Sequence, residues 1–234
     1  TDEGLKKGIN DQNQKEPDGG LSLHPVSALA LEHWGFFHTP DSEAVATAER
    51  DGHEEAYSVR SMQFKLMVRK LAYAQMGTSL SDSDIAKIRE ELETYALFET
   101  PEDELHTRLA MKDGRIYLDL ANARWEQVEI SRDGWQVIQA SESPVTFRRG
   151  SSTKPLPHPV QEEGALDKLK DFLPTDSEEA WVLMVSWLVA AFRPSGPFPI
   201  LLLQGEKGAA KSTTARLLQD LIDPGAPGSL PRNE

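Results

Sequence analysis

Apolar positions change their period several times along the chain, and each change marks an element. From Trp34, short β-compatible runs at Gly35 to Phe37, Ala44 to Ala48 and Glu55 to Val59 are separated by polar turns starting at Thr39 and Glu49. This predicts a small meander, although the run AVATA suits a helix equally well. Between Ser61 and Met76 the residues Met62, Phe64, Leu66, Met67, Leu71 and Met76 fall close to helical spacing, and Gly77 stands where a helix would stop. A second helix follows. Ser81 and Asp84 have the spacing of a capping box, Ile85, Ile88, Leu92, Tyr95 and Ala96 form one apolar stripe, and Pro101 closes the segment.

Period two then takes over. Leu105, Thr107, Leu109 and Met111 alternate with His106, Arg108 and Ala110 up to Asp113-Gly114, a strong hairpin signal, and Ile116 to Leu120 is the returning strand. Trp125 to Ile130, a second Asp-Gly at Asp133-Gly134, Trp135 to Ile138 and Val145 to Arg148 extend this into an antiparallel sheet of four or five strands. Trp125 and Trp135 fall on neighbouring predicted strands, which favours pairing across the sheet over base stacking. The stretch GSSTKPLPHP from Gly150 has the composition of an extended connection, so a domain boundary is expected there. Beyond it lie a short helix around Ala165 to Phe172, a helix start at Pro174, and an apolar run from Ala180 to Phe192. That run is shorter than the roughly 17–25 residues of a membrane span and predicts a buried core helix, ended by Pro194 and Pro197. Ile200 to Leu203 reads as a short strand of the kind found inside parallel sheets.

Composition narrows the function classes. The 234 residues carry 25 basic and 38 acidic side chains, a formal −13. No region is net basic: residues 1–60 hold 5 basic and 12 acidic groups, 61–150 hold 12 and 15, and 151–234 hold 8 and 11. A generally basic nucleic-acid binder is therefore excluded, and any DNA contact must be local, be supplied by a further part of the protein, or arise by oligomerisation around the strand. Arg148 and Arg149, beside Phe147 and followed by Lys154, are the candidate local contact. Cysteine is absent, which removes disulfides and thiolate zinc and makes a reducing cytoplasm the natural compartment. The six histidines show no metal-ligand spacing, and no Gly-x-Ser-x-Gly elbow is present. Residues 1–32 read as a flexible lead-in, since the first twenty offer only Leu5 and Ile9 as apolar side chains. The opening lacks Met and any signal-type apolar stretch, as expected for a piece of a longer protein.

One motif carries chemistry. After the apolar run the chain reads Gly205, Glu206, Lys207, Gly208, Ala209, Ala210, Lys211, Ser212, Thr213, followed by a helical stretch from Ala215 to Ile222. Strand, glycine turn, Lys-Ser and helix make a phosphate cradle: backbone N–H groups at a helix N-terminus face an anion, and the helix dipole adds partial positive charge. In a Walker A loop of this kind Lys211 reaches the β- and γ-phosphates of ATP, the Ser212 hydroxyl ligates Mg²⁺, and Thr213 adds a hydroxyl near the α-phosphate. Ala210 departs from the standard pattern, which has glycine before the lysine. If that position is left-handed, alanine costs on the order of 1–2 kcal/mol. Some two hundred residues precede the loop, unlike small-molecule kinases, and two helices directly upstream fit an AAA+-type arrangement.

The segments GRIYLDLANARWEQVEISRDGWQVI from Gly114, SPVTFRRG from Ser143, LPHPV from Leu156 and PFPILLLQGEKGAAKSTTARLLQDLIDP from Pro197 together resemble a family of ATP-binding proteins of phages and mobile elements. These are similar to primase–helicase ATPases of the superfamily 3 and AAA+ type. The resemblance runs from about Trp34 to the C-terminus, and an alanine before the P-loop lysine is ordinary in that family. It implies an ATP- and DNA-dependent ATPase acting in replication, with Lys211 as its catalytic lysine and assembly into a hexamer around DNA. It also implies a Walker B strand, sensor residues and an arginine finger beyond this chain. LIDPGAPGSLPRNE offers no apolar strand ending in Asp-Glu, and Ile116 to Asp119, which imitates one, reads as a hairpin strand. Poor nucleotide binding and no independent hydrolysis are therefore expected of this chain. The competing reading is a non-catalytic adaptor with a remnant P-loop. The predicted architecture is an α+β region over 33–150 with two helices and an antiparallel meander, a proline-rich linker over 151–163, and over 164–234 the start of an α/β P-loop NTPase module, AAA+-like and apparently truncated.

Overall fold

A computed structural model of the protein describes residues 23–50, 52–173 and 175–225. Helix α1 (Pro25–His33) lies inside the segment read as a lead-in, and that expectation is corrected for residues 23–32. Val26, Ser27 and Ala30 are wholly buried. Their small side chains form no long apolar stripe, so periodicity missed them, yet they let α1 pack closely. Glu91 Oε2 accepts from the Ser27 hydroxyl at 2.6 Å and from the His24 amide at 2.9 Å, which fastens the start of the helix. Residues 1–22 of the lead-in, and 226–234 of the C-terminal module, lie outside the described residues.

The meander forms as read. Strands β1 (Gly35–His38), β2 (Ala44–Arg50) and β3 (His53–Ser58) pair antiparallel in chain order, and AVATA is a strand with its side chains buried. Helix α2 (Met62–Met76) starts at Ser61, whose hydroxyl accepts from the Phe64 amide, and ends at left-handed Gly77, φ 63°. Helix α3 (Asp82–Glu99) begins with the complete capping box of Ser81 and Asp84, worth about 1 kcal/mol. Phe64, Val68 and Ala72 of α2 and Ile85, Ile88, Leu92 and Ala96 of α3 build one core with α1 and the meander. Truncating Ile88 or Leu92 there would cost about 2–5 kcal/mol. The outward stripe on α2, which contains Met62, Leu66 and Met76, takes no part in that core.

The run from Leu105 to Met111 is broken into two strands. β4 (Leu105–His106) departs from β5 (Leu109–Lys112), which continues through β6 (Arg115–Asp119), β7 (Glu126–Ser131) and β8 (Gly134–Gln139) as a four-stranded antiparallel sheet. The expected fifth strand, β9 (Thr146–Phe147), pairs parallel with β4 instead. The break falls at Arg108, which is buried. Its guanidinium donates to the Asp119 carbonyl, to the Lys154 carbonyl and to the Asp223 carboxylate, at 2.7–3.0 Å.

Trp125 precedes β7 in a left-handed turn, φ 55°, and is not paired with Trp135, whose cross-strand neighbour is Ile130. The His53 ring stacks on it at 4.4 Å between centroids, and the Arg149 guanidinium lies 3.6 Å from its ring centre. This stack joins the meander to the second sheet. The proline-rich linker is docked rather than free: Leu156 is buried, and its amide donates to the Leu120 carbonyl at 2.8 Å.

Helices α4 (Ala165–Lys170), α5 (Glu178–Ala191) and α6 (Lys211–Ile222) complete the described chain. Leu173, Trp181, Met184 and Leu218 form their core, with Leu201 and Leu203 packed against it. α5 is not buried all round as its composition predicts. Val182, Leu183 and Val189 are exposed, because the described elements cover only the side carrying Trp181 and Met184. No helix of the described residues is long and apolar enough to cross a membrane.

Two outcomes follow from this packing. Arg108→Met strands the Asp223 carboxylate and two carbonyls, and its urea midpoint should report a loss of roughly 3 kcal/mol. His106 has a pKa below the ordinary value because burial disfavours the imidazolium, against the opposing pull of Glu104. The unfolded chain therefore takes up the proton first: stability is fully present above the ordinary value of 6.5 and is lost as pH falls through the folded value. Urea midpoints measured from pH 7.5 downward should fall more steeply for the native protein than for His106→Gln.

Candidate phosphate-binding site

The loop from Gly205 to Ala210 hangs between two anchors. Upstream, Ile200 to Leu203 is extended, with Leu201 and Leu203 turned into the helical core and the Pro199 carbonyl accepting from Trp187 Nε1 at 2.8 Å. Downstream, Thr214 and Leu218 bury one side of α6. The predicted strand at 200–203 is corrected: the segment has no ladder partner among the described residues and so is not a β-strand. Ile200 and Leu202, 95% and 73% exposed, alternate outward in the manner of a strand whose other face is uncovered.

The backbone of the loop is strongly turned. Gly205 has φ 154° and Gly208 φ 92°. A Cβ on Gly205 would also stand 3.1 Å from that of Ala209, so both the angle and the space favour glycine. The Ala209 amide closes a turn on the Glu206 carbonyl at 3.2 Å. Ala210 is left-handed, φ 53° and ψ 16°, and is the N-cap of α6. It offers no side-chain oxygen, so the first-turn amides of Lys211, Ser212 and Thr213 receive no side-chain cap. Residues 204–210, Ser212 and Thr213 are all exposed, which leaves the loop open to a solute.

Lys211 closes the arrangement. Its ammonium donates to the Gly205 carbonyl at 2.8 Å and to the Glu206 carbonyl at 2.7 Å. An ammonium has three N–H donors, so one remains for an anion at the mouth of the loop. Glu206, Lys207, Gly208, Ala209 and Ala210 thus form the turn itself, while Lys211, Ser212 and Thr213 stand on the first turn of α6. An uncapped helix start, its partial positive charge and a fixed ammonium together suit a phosphate.

The two arginines read as a DNA contact each pair with a carboxylate of the chain. Arg148 Nη1 donates to Glu43 Oε1 at 2.6 Å. Arg149 forks onto the buried Asp119 carboxylate at 2.9 and 2.6 Å, and donates to the Asn122 carbonyl at 2.7 Å. A phosphate at Arg149 would have to compete with the buried Asp119 carboxylate, whereas Arg148 stays partly exposed. Asp119 itself, at the end of the strand that imitates Walker B, is consumed by the same pair.

Sequence reasoning missed Arg108 and Asp223. Together they hold the C-terminal end of α6 against the second sheet and the linker. Only the aspartate after the last helical turn hinted at this. Close by, Gly225 lies so near the linker that a Cβ would overlap the Ser152 carbonyl. The sequence matches no model of a known protein family and no curated protein.

The left-handed angle at Ala210 sets a direct test. Ala210→Gly relieves the strain of a β-carbon but loosens the unfolded chain, and should raise stability by at most about 1 kcal/mol in urea unfolding.

Proposed function

We propose that the chain is the ATP-binding portion of a DNA-dependent ATPase of helicase or primase–helicase type from a mobile element. The reading rests on one observation: the glycine turn delivers Lys211 and an uncapped helix N-terminus to the same exposed loop. ATP would lie along Gly205 to Thr213. The amides of the turn and of the first helical turn would bind its phosphate oxygens, and Lys211 would turn one N–H from the loop mouth to the β- and γ-phosphates. Mg²⁺, held with the help of the Ser212 hydroxyl, would neutralise phosphate charge. Binding and orienting the nucleotide are the steps assigned to this chain's own residues. DNA contact and assembly into a ring belong to the same proposal for the whole protein, with the acidic surface facing outward.

A second reading has its own support. Both bonds of Lys211 go to the loop's own carbonyls, as they would in a remnant P-loop that merely stabilises α6 inside an adaptor. Isothermal titration of ATP–Mg²⁺ into the native chain and into Lys211→Ala separates the two. The ATPase reading expects binding that weakens at least about 10-fold in the variant, in line with the ~1.5–3 kcal/mol of charge-assisted bonds. Equal affinity, or no heat from the native chain, overturns it. A thermal midpoint lowered by Lys211→Ala with no response to nucleotide would support the adaptor.

A further inference from the structure

Helix α2 carries two apolar faces, and the fold uses one. Phe64, Val68 and Ala72 face the core. On the other side Met62, Leu66, Tyr73 and Met76 are 65%, 57%, 70% and 45% exposed. With Arg69 they follow a spacing of four, three, four and three residues, the seam of a coiled coil, and at 3.6 residues per turn they share an arc of about 80°. Four large exposed side chains in one line are more than scattered surface apolarity. The helix is also firm, held by Ser61 at its start and left-handed Gly77 at its end, so a partner would meet a preformed surface.

Charge identifies the partner. Lys65, Arg69 and Lys70 are the charged residues of α2 and all are cationic, in a chain with a formal −13. Asp82 pairs with Lys65 and Arg69 from the start of α3. It offsets one of the three charges, leaving the seam locally positive. We propose that this face docks an acidic amphipathic helix of another protein, with apolar residues at heptad spacing and carboxylates flanking them. A second copy of the chain fits poorly. Arg69 is the midpoint of the helix, so pairing α2 with itself in either direction about that midpoint sets Arg69 against Arg69. An anionic membrane also fits poorly. It would meet a chain with a formal −13 as a whole, whereas a helix ~10 Å wide senses charges within a Debye length of ~8 Å. The proposal is independent of the P-loop and stands whether or not nucleotide binds.

The probe is a synthetic peptide of about three heptads with Leu at a and d, Glu at e and g, and one Glu at the central core position. Fluorescence anisotropy with the native chain should give a Kd on the order of 1–100 µM, weakening as salt rises. Leu66→Ser with Tyr73→Ser should weaken it at least ~10-fold with an unchanged circular dichroism spectrum, because both side chains are exposed. Lys70→Glu, a single surface change, should weaken it by a few-fold and keeps the test decisive should the double variant lose its fold. A peptide with Lys in place of every Glu should not bind. Equal binding of both peptides, or full binding by the double variant and by Lys70→Glu, overturns the proposal. So does dimerisation in sedimentation velocity, or binding to phosphatidylserine vesicles, that the double variant abolishes.

Discussion

A single buried guanidinium holds together parts of the chain more than a hundred residues apart. Arg108 bonds to the Asp119 carbonyl in the second sheet, to the Lys154 carbonyl in the linker and to the Asp223 carboxylate beyond α6. A buried cation with one partner missing is strongly unfavourable, so all three must be in place together. This requirement ends β4, starts β5 and fixes where the linker crosses the sheet. It also sets the far end of the helix that begins at the Gly205 to Ala210 loop.

Helix α6 is therefore constrained at both ends by different means. Its C-terminal end is held by charge and by the close approach of Gly225 to the linker, and its middle by Thr214 and Leu218 in the helical core. Its N-terminal end is held by backbone conformation, in which Gly205, Gly208 and the left-handed Ala210 bring Lys211 back over its own loop. The uncovered faces of α5 and of the 200–203 segment border the same core.

The acidic excess shapes how the cations are used. Arg148 and Arg149, the most basic pair in the second half of the chain, are neutralised by Glu43 and Asp119 and serve to join segments. Arg149 does so twice, through Asp119 and through the face of Trp125, whose other neighbour is His53 of the meander. Positive charge left facing solvent beside apolar side chains is correspondingly informative, and α2 supplies it.

Local signals were sufficient wherever a few consecutive residues decide the outcome. Ser61 and Gly77 bound α2, Ser81 and Asp84 build their box, Asp113-Gly114 turns one hairpin while the next turns at Arg132-Asp133 with Gly134 opening β8, and the turn from Gly205 to Lys211 adopts positive φ angles at Gly205, Gly208 and Ala210. Each rests on backbone sterics or on a bond between near neighbours, which sequence alone encodes. What lies between distant segments was not legible. The strand reading of Arg108 correctly followed alternation, but only tertiary packing could turn that side chain inward onto three remote acceptors. The same holds for α1, whose few small buried residues make no periodic signal, for β9, which leaves the antiparallel sheet to lie beside β4, and for Arg149, which meets the buried Asp119 carboxylate. Periodicity says that a face is apolar; which apolar faces are covered, as on α2 and α5, depends on the neighbours the chain brings to them.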